Sequence, residues 1–229
     1  MQAFYSYMQQ LNLVSIVVRL LMAMGIGGLL GMERGRKNRP AGFRTYILVC
    51  LGSALVMMTN QYVFNAFDTS DPVRMGAQVI SGIGFLGAGT IIVTGRNQVK
   101  GITTAAGLWT AACCGLAIGI GFYEGAIAGG IAIFLVMSVL RKLDERIRRH
   151  SKTMGVYIEF DGKTTLGQFI EYARSKDIEL TELQLSKQKL EKETTFCVLA
   201  EMHSPVLQRE AMQIVLEEAS GIKYWEEIT

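Results

Sequence analysis

Over its first 140 positions the chain does not alternate apolar and polar residues; it gathers the apolar ones into five long stretches. These are Leu13–Met32, Thr45–Phe64, Val73–Thr94, Ile102–Ile120 and Phe122–Leu140. A helix rising about 1.5 Å per residue needs roughly 20 residues to cross a hydrocarbon core of about 30 Å, and each stretch is close to that length. The pattern predicts five membrane helices over residues 1–140. Past His150 the spacing changes. Val156, Ile158 and Phe160 alternate as in a half-buried strand. Thr165 to Gln168 fits a capping box before Leu166, Phe169, Ile170 and Ala173 at helical spacing. Leu183 and Leu185 predict a second strand, and Phe196, Val198, Ala200 and Met202 a third. Ser204-Pro205 opens a second helix through Leu207, Ala211, Ile214 and Val215, Gly221 closes it, and Ile222, Tyr224 and Ile228 form a last strand. Strand, helix, strand, strand, helix, strand is the ferredoxin-like α+β order. The expected organisation is a five-helix membrane domain (1–140), a basic linker (141–152) and a small soluble domain (153–229).

Charge sets the orientation. The overall balance of +3 hides two unlike parts: residues 1–150 hold 14 Lys and Arg against 6 Asp and Glu, while 151–229 hold 9 against 14. Arg34, Arg36, Lys37, Arg39 and Arg44, then Arg96 and Lys100, then Arg141, Lys142, Arg146, Arg148 and Arg149 all fall in connections on one side of the predicted bundle. Asp68, Asp71, Arg74 and Glu124 fall on the other. Lys and Arg are retained on the cytoplasmic side, so the N-terminus is expected outside and the C-terminal domain inside. The first twelve residues carry no Lys or Arg, so the first apolar run reads as a retained helix and not a cleaved signal. The run from Arg141 to Arg149 suits a surface helix against anionic headgroups.

Several features in and beside the apolar stretches call for a physical reason. From Gly76 to Gly89 the third stretch carries five glycines and two polar side chains, Gln78 and Ser81. Glycine weakens a helix in water, so such density in a membrane implies close approach, either a packing seam or a site lined by backbone. Gly27 with Gly31, and Gly125 with Gly129, make two further small-residue faces. Arg19 lies a few turns inside the first stretch, where a charge costs about 2.5–3.5 kcal/mol unless it snorkels or pairs. Asp71 is at the same predicted depth, placed to take a cation or to pair with Arg19 or Arg74. In the first basic loop, Glu33 is expected to pair with Arg34 or Arg44 across the Pro40-Ala41-Gly42 turn. Thr103 and Thr104 open the fourth stretch, and Trp109 lies too deep for an interfacial anchor.

Nothing in the chain points to catalysis. The two histidines, His150 and His203, lie outside the membrane stretches, and no nucleophile elbow, phosphate loop, metal cluster or nucleic-acid motif is present. Cys50, Cys113, Cys114 and Cys197 lack paired spacing and suit packing. No cofactor is expected, and neither is a nucleic-acid partner.

Four ordered blocks resemble the signature of the MgtC/SapB family of bacterial membrane proteins: RLLMAMGIGGLLGMERGR (Arg19 to Arg36), RPAGFRTYILVCLGSAL (Arg39 to Leu55), DPVRMGAQVISGIGFLGAG (Asp71 to Gly89) and VKGITTAAGLWTAA (Val99 to Ala112). Within them we single out Arg19, Glu33, Arg34, Arg44, Thr45, Asp71, Arg74, Gln78, Gly84, Phe85, Gly87, Gly89, Thr103, Thr104 and Trp109 as a candidate functional or structural motif. The resemblance implies five membrane helices in the bacterial cytoplasmic membrane and a cytoplasmic domain similar to ACT regulatory modules. It also implies links to growth at low magnesium and, for some members, to the membrane ATP synthase as partner. The expected function is that of a regulatory membrane protein tied to magnesium and stress adaptation, with ion or small-molecule transport as the alternative. An exposed sheet edge in the C-terminal domain is expected to make the protein a dimer or higher oligomer. The Asp161-Gly162 turn is a further ligand candidate.

Overall fold

The structure is a computed structural model, and it describes residues 2–35, 40–67, 71–93, 99–140, 143, 146–147, 150–160, 166–190 and 193–228. Arg36, Lys37, Arg39, Asp68, Arg96, Arg141, Lys142, Arg148 and Arg149, the Asp161-Gly162 turn and the capping residue Thr165 lie outside the described residues. The chain divides into a helical unit and a C-terminal α+β unit.

The helical unit begins with a short helix that hydropathy did not foretell, α1 (Gln2–Gln9), followed by α2 (Leu13–Gly35), α3 (Phe43–Phe67) and α4 (Arg74–Ala88). A two-stranded hairpin, β1 (Ile92–Val93) with β2 (Val99–Lys100), leads to α5 (Ile102–Ile120) and α6 (Tyr123–Leu135), which runs on as a π-helical turn over Val136–Leu140. Among the described residues, four helices are long and apolar enough to cross a membrane: α2, α3, α5, and α6 with its extension. The third predicted stretch differs. Only 15 of its residues are helical, about 22 Å of helix, because the chain turns at Gly89 and Thr90 and pairs Ile92 and Val93 with Val99 and Lys100. Gly101, at φ +103°, closes this turn against the Thr90 carbonyl, where a Cβ could not fit.

Contacts between helices give their directions. A Cβ on Gly27 would meet Ile47 Cα at 2.9 Å and one on Gly31 would meet Phe43 Cα at 2.9 Å, so α2 and α3 run antiparallel with backbones nearly touching. Along α5, Gly107 abuts Tyr46, Gly115 abuts the Cys50 carbonyl and Gly119 abuts Ala54, so α5 runs parallel to α3. Gly76 of α4 faces Met57 and Leu116, and Gly87 faces Ala105, so α4 runs antiparallel to α5. The five helices therefore alternate in direction. One end of the bundle gathers Leu13, Phe67, Arg74, Ile120 and Tyr123; the other gathers Gly35, Phe43, Ala88, Ile102 and Leu140. Two adjoining cores fill it, one of Leu30, Tyr46, Ile83, Leu108, Ala111 and Met137, the other of Ala23, Cys50, Ala54, Cys114, Ile118 and Ala126.

The expected seams are thus partly corrected. The first, Gly27 with Gly31, is a helix contact. Gly82 and Gly84 of α4 face open space, and Gly129 of α6 does too, while the neighbouring Gly130 meets Ile26. The tightest approaches belong to α5, whose Gly115 and Gly119 let α3 lie against it with no side chain between.

The C-terminal unit is β3 (Thr153–Phe160), α7 (Leu166–Ser175), β4 (Glu179–Leu190), β5 (Glu193–His203), α8 (Arg209–Glu218) and β6 (Ile222–Ile228), in the expected order. The strands form one antiparallel sheet in the order β4-β5-β3-β6, with Ile158 opposite Val198 and Trp225. Met154, Val156, Ile158 and Phe160 of β3 and Val198, Ala200 and Met202 of β5 share the face that packs on Phe169 and Ala173 of α7 and Met212 and Leu216 of α8. The second helix starts later than expected. The Ser204 hydroxyl accepts the Val206 and Leu207 N–H groups, so Ser204-Pro205 makes a turn and α8 begins at Arg209.

Candidate functional site

Of the buried polar side chains of the helical unit, Ser15, Arg19 and Asn60 lie towards one end and Arg34 and Thr104 towards the other, with Ser53 between them. At the first end Arg19 is completely buried. Its Nε donates to the Tyr123 hydroxyl at 3.1 Å, Nη1 to Gln61 Oε1 at 2.9 Å and to the Gly119 carbonyl at 2.7 Å, and Nη2 to the Met8 and Gln9 carbonyls at 3.1 and 2.8 Å. Those five bonds use all five guanidinium N–H groups. The anticipated partner Asp71 is not among them, and the side chain does not snorkel. Its charge is met instead by helix ends. Met8 and Gln9 close α1, and Gly119 lies in the last turn of α5, which finishes in a Schellman arrangement: Gly121, at φ +87°, donates to the Ile118 carbonyl and Phe122 to that of Ala117. Each helix C-terminus carries roughly half a negative charge, so two of them balance about one guanidinium.

This cluster also fixes α1. The Tyr123 hydroxyl donates to the Met8 carbonyl at 2.7 Å, Gln61 Nε2 to that of Gln9 at 3.3 Å, and Tyr5 to Glu124 Oε2 at 2.9 Å. The Glu124 carboxylate, accepting that bond, holds the Tyr5 phenol above its usual pKa. Beside it an open groove of about 580 Å³ is lined by Ser6, Gln9, Gln10, Gln61, Tyr62 and Asn65.

Asp71 has a local role. Its Oδ1 accepts the Val73 N–H at 3.1 Å in the turn that opens α4, and its side chain is exposed, as is that of Arg74. The residue that anchors this turn is Asn60 of α3, which is buried; its amide donates to the Pro72 carbonyl and accepts the Met75 N–H at 3.1 Å. Asn60 and Gln61 were not singled out from the sequence, although an adjacent amide pair near the end of an apolar run is itself a signal, since an amide in a membrane helix needs a partner.

At the opposite end Glu33 takes the nearer of its two expected partners, with Arg34 Nε at 3.5 Å and both side chains largely buried; Arg44 is exposed and Thr45 half-buried. Tyr46, fully buried, donates to the Thr104 carbonyl at 3.4 Å and fills the space left by Gly107. Thr104 is buried and Thr103 exposed. Trp109 is 45% exposed on the outer side of α5, and Gln78, Gly84, Phe85 and Gly89 are exposed on α4, whereas Gly87 is buried against Ala105. Of the candidate residues the structure thus buries Arg19 at one end and Glu33, Arg34 and Thr104 towards the other, sets Gln78, Gly84 and Phe85 on an open face of α4, and leaves Arg44, Asp71, Arg74, Thr103 and Trp109 exposed elsewhere. Among the described residues no three His, Cys, Asp or Glu side chains come together.

The Glu33–Arg34 cluster, and of the first cluster Gln61, Gly119 and Tyr123 but not Arg19, Met8 or Gln9, fall within one contiguous match to a known family, whose profile, MgtC family, covers residues 20–146. The chain belongs to the MgtC family. It is 41% identical over 136 residues to "Putative magnesium transporter YhiD" of Escherichia coli (strain K12), covering 57% of this chain and 63% of that protein. It is 32% identical over 171 residues to Protein SapB of Bacillus subtilis (strain 168), 71% of this chain and 74% of the relative. With Protein MgtC of Salmonella typhimurium (strain LT2) it shares 41% identity over 135 residues, 58% of this chain and 55% of the relative. The chain thus spans less than two thirds of the length of the YhiD and MgtC relatives. No solved structure matches it. The MgtC family match lies mainly in the helical unit, and with four apolar helices of spanning length it makes this a multi-pass membrane protein.

Proposed function

We propose that this member of the MgtC family is a regulatory protein of the bacterial cytoplasmic membrane, connected with magnesium and stress adaptation, whose C-terminal unit acts as an ACT-like sensor. The observation that carries the reading is where the polar groups of the helical unit go. Arg19 spends three donors on helix-end carbonyls and the other two on Tyr123 and Gln61, Asn60 holds the start of α4, and Glu33 with Arg34 closes the other end, so these groups fasten helices together. A carrier needs polar groups left over for cargo inside the bundle near mid-membrane, and Gln78 and Ser81 lie on the outer face of α4. The alternating helix directions support five crossings, with α4 level with α5 despite its 15 residues. Arg34, Arg44 and Lys100 at the second end support an inside C-terminus. The strand order β4-β5-β3-β6, with both helices on one face, supports a ferredoxin-like, ACT-like unit.

Transport is the second reading, favoured by the name that YhiD carries. Complementation of low-magnesium growth separates the two. Phe160→Asp puts a charge into the core of the C-terminal unit, where Phe160 meets Phe169 at 5.5 Å between ring centroids, and leaves the helical unit untouched. The regulatory reading expects normal membrane abundance with loss of the growth benefit. Full growth with a collapsed C-terminal unit would refute it.

A further inference from the structure

At the start of the C-terminal unit two large apolar side chains lie open: Leu143 is 52% exposed and Ile147 63%. Both are helical and one turn apart, and with Arg146, His150 and Ser151 they line an open groove of about 540 Å³. Positions 143, 146, 147 and 150 recur at the spacing of one helix face. Arg146 makes no ion pair among the described residues, and the His150 Nδ1–H donates to the Arg146 carbonyl at 2.9 Å, which closes this face with a second basic side chain. Charge and position say what covers it. The sequence from 141 to 150 carries five Lys and Arg against Asp144 and Glu145, whereas residues 151–229 carry 9 against 14. Leu143 follows Leu140, the end of the spanning α6 and its extension, by three residues, which reach at most about 11 Å, so it cannot leave the bilayer surface. Two apolar side chains are far too little area for a stable protein interface. A lipid surface asks only for an apolar pair to enter the acyl boundary and cations to meet phosphates.

We propose that the face of Leu143, Arg146, Ile147 and His150 docks on anionic phospholipid headgroups beside the end of α6 and so seats the C-terminal unit on the membrane. The seating runs through the backbone. The Ser151 carbonyl accepts the Arg209 N–H at 3.2 Å, where α8 begins, and the Lys152 carbonyl accepts the Ser204 N–H at 3.0 Å. A lipid surface that holds the face therefore holds the turn before α8 with it. The rest of the unit, acidic in balance, is repelled by the same surface, so the attachment stays at this edge. Each Lys or Arg near such a surface favours attachment about fivefold. The inference needs the unit beside a membrane and does not rest on its acting as a sensor.

The full chain in vesicles of phosphatidylcholine, with or without about one third phosphatidylglycerol, tests this. Cys50, Cys114 and Cys197 are buried, so Cys113→Ala gives a quiet background for a fluorophore on Ile147→Cys, with Ile214→Cys, 54% exposed on α8, as the control. Quenching by lipid spin-labelled in its acyl chain is expected at position 147 when phosphatidylglycerol is present, and is expected to fall away without it or in about 1 M salt, where the Debye length is about 3 Å. Position 214 should stay open to acrylamide throughout. Arg146→Gln should lower the ratio of docked to free label about fivefold. In the unlabelled protein, amide exchange over residues 204–209 should slow when phosphatidylglycerol is added. Equal lipid quenching at position 147 with and without phosphatidylglycerol, a label open to acrylamide in both vesicles, or one shielded from acrylamide and lipid quencher alike would each overturn the docking. Lipid quenching with unchanged exchange at Arg209 would overturn the seating.

Discussion

Removing the Arg19 guanidinium is the perturbation that the helical unit should feel most specifically. Arg19→Met keeps the unbranched apolar stem of the side chain and deletes five hydrogen bonds. Their acceptors do not suffer equally. The Met8 carbonyl keeps the Tyr123 hydroxyl, and the Gln9 carbonyl keeps Gln61 at a long 3.3 Å. Gln61 Oε1 and the Gly119 carbonyl lose their partner in the cluster. The buried Gly119 carbonyl left without a partner costs about 1–3 kcal/mol, whereas Gln61, part-buried and lining the open groove, turns to water at little cost. Relief from burying the charge itself offsets part of this, and we expect a net loss of about 1–2 kcal/mol. The loss should be local first, because α1 is tied down mainly through these carbonyls. Reversible unfolding in bicelles gives the free energy, and amide exchange over residues 2–10 gives the location. Arg19→Lys should not rescue, since an ammonium cannot reach the ends of two helices at once. If Arg19→Met leaves stability within about 0.5 kcal/mol and α1 still protected, the account of Arg19 as a clasp on two helix ends is wrong.

Other expectations follow from the same geometry. Gly115→Ala drives a methyl into the Cys50 carbonyl and should cost about 1–3 kcal/mol or more, whereas Gly84→Ala, facing open space, should leave the melting temperature unchanged; equal effects would contradict the assignment of the seam to α5. Asn60→Leu keeps the branched shape but strips the start of α4 of two bonds, with an expected loss of about 1–3 kcal/mol and faster exchange at Met75. In the C-terminal unit, burial, with a bond from its hydroxyl to Glu159 at 2.8 Å, raises the Tyr157 phenol. The neutral form is favoured in the folded state, so this contribution to stability is complete below the ordinary tyrosine value of about 10 and fades as pH climbs through the higher folded value. Ultraviolet titration of the chain against Tyr157→Phe should show one tyrosine ionising late; a difference spectrum centred near pH 10 would count against it.

How much of this was legible in the sequence depends on which physical quantity each feature obeys. Run length alone located α2, α3, α5 and α6, because bilayer thickness fixes the length of a spanning helix. It misjudged α4, since Thr90 to Val93 continue the apolar run while the backbone leaves the helix at Gly89; hydropathy measures transfer from water and is blind to hydrogen-bond pattern. Period-two alternation located β3 and β5 for the converse reason, that one sheet face is buried. Arg19 was recognisable as costly, but not its partners: every residue has a carbonyl, and only the meeting of two helix ends selects Met8, Gln9 and Gly119. The glycines were recognisable as a group, yet which of them touch a neighbour depends on how each helix is rotated. So Gly115 and Gly119 carry the contact expected of Gly82 and Gly84. Helix α1, with eight residues, is too short to register as a run, and is held by bonds from elsewhere in the chain.

The central claim is that the helical unit is a fastened regulatory platform and not a conduit. Purified protein reconstituted into vesicles containing a magnesium-sensitive dye tests it most directly, with protein-free vesicles alongside and the same preparation shown to be folded by its melting transition. The account predicts magnesium entry no faster than in the protein-free vesicles. Saturable, protein-dependent magnesium entry would contradict it.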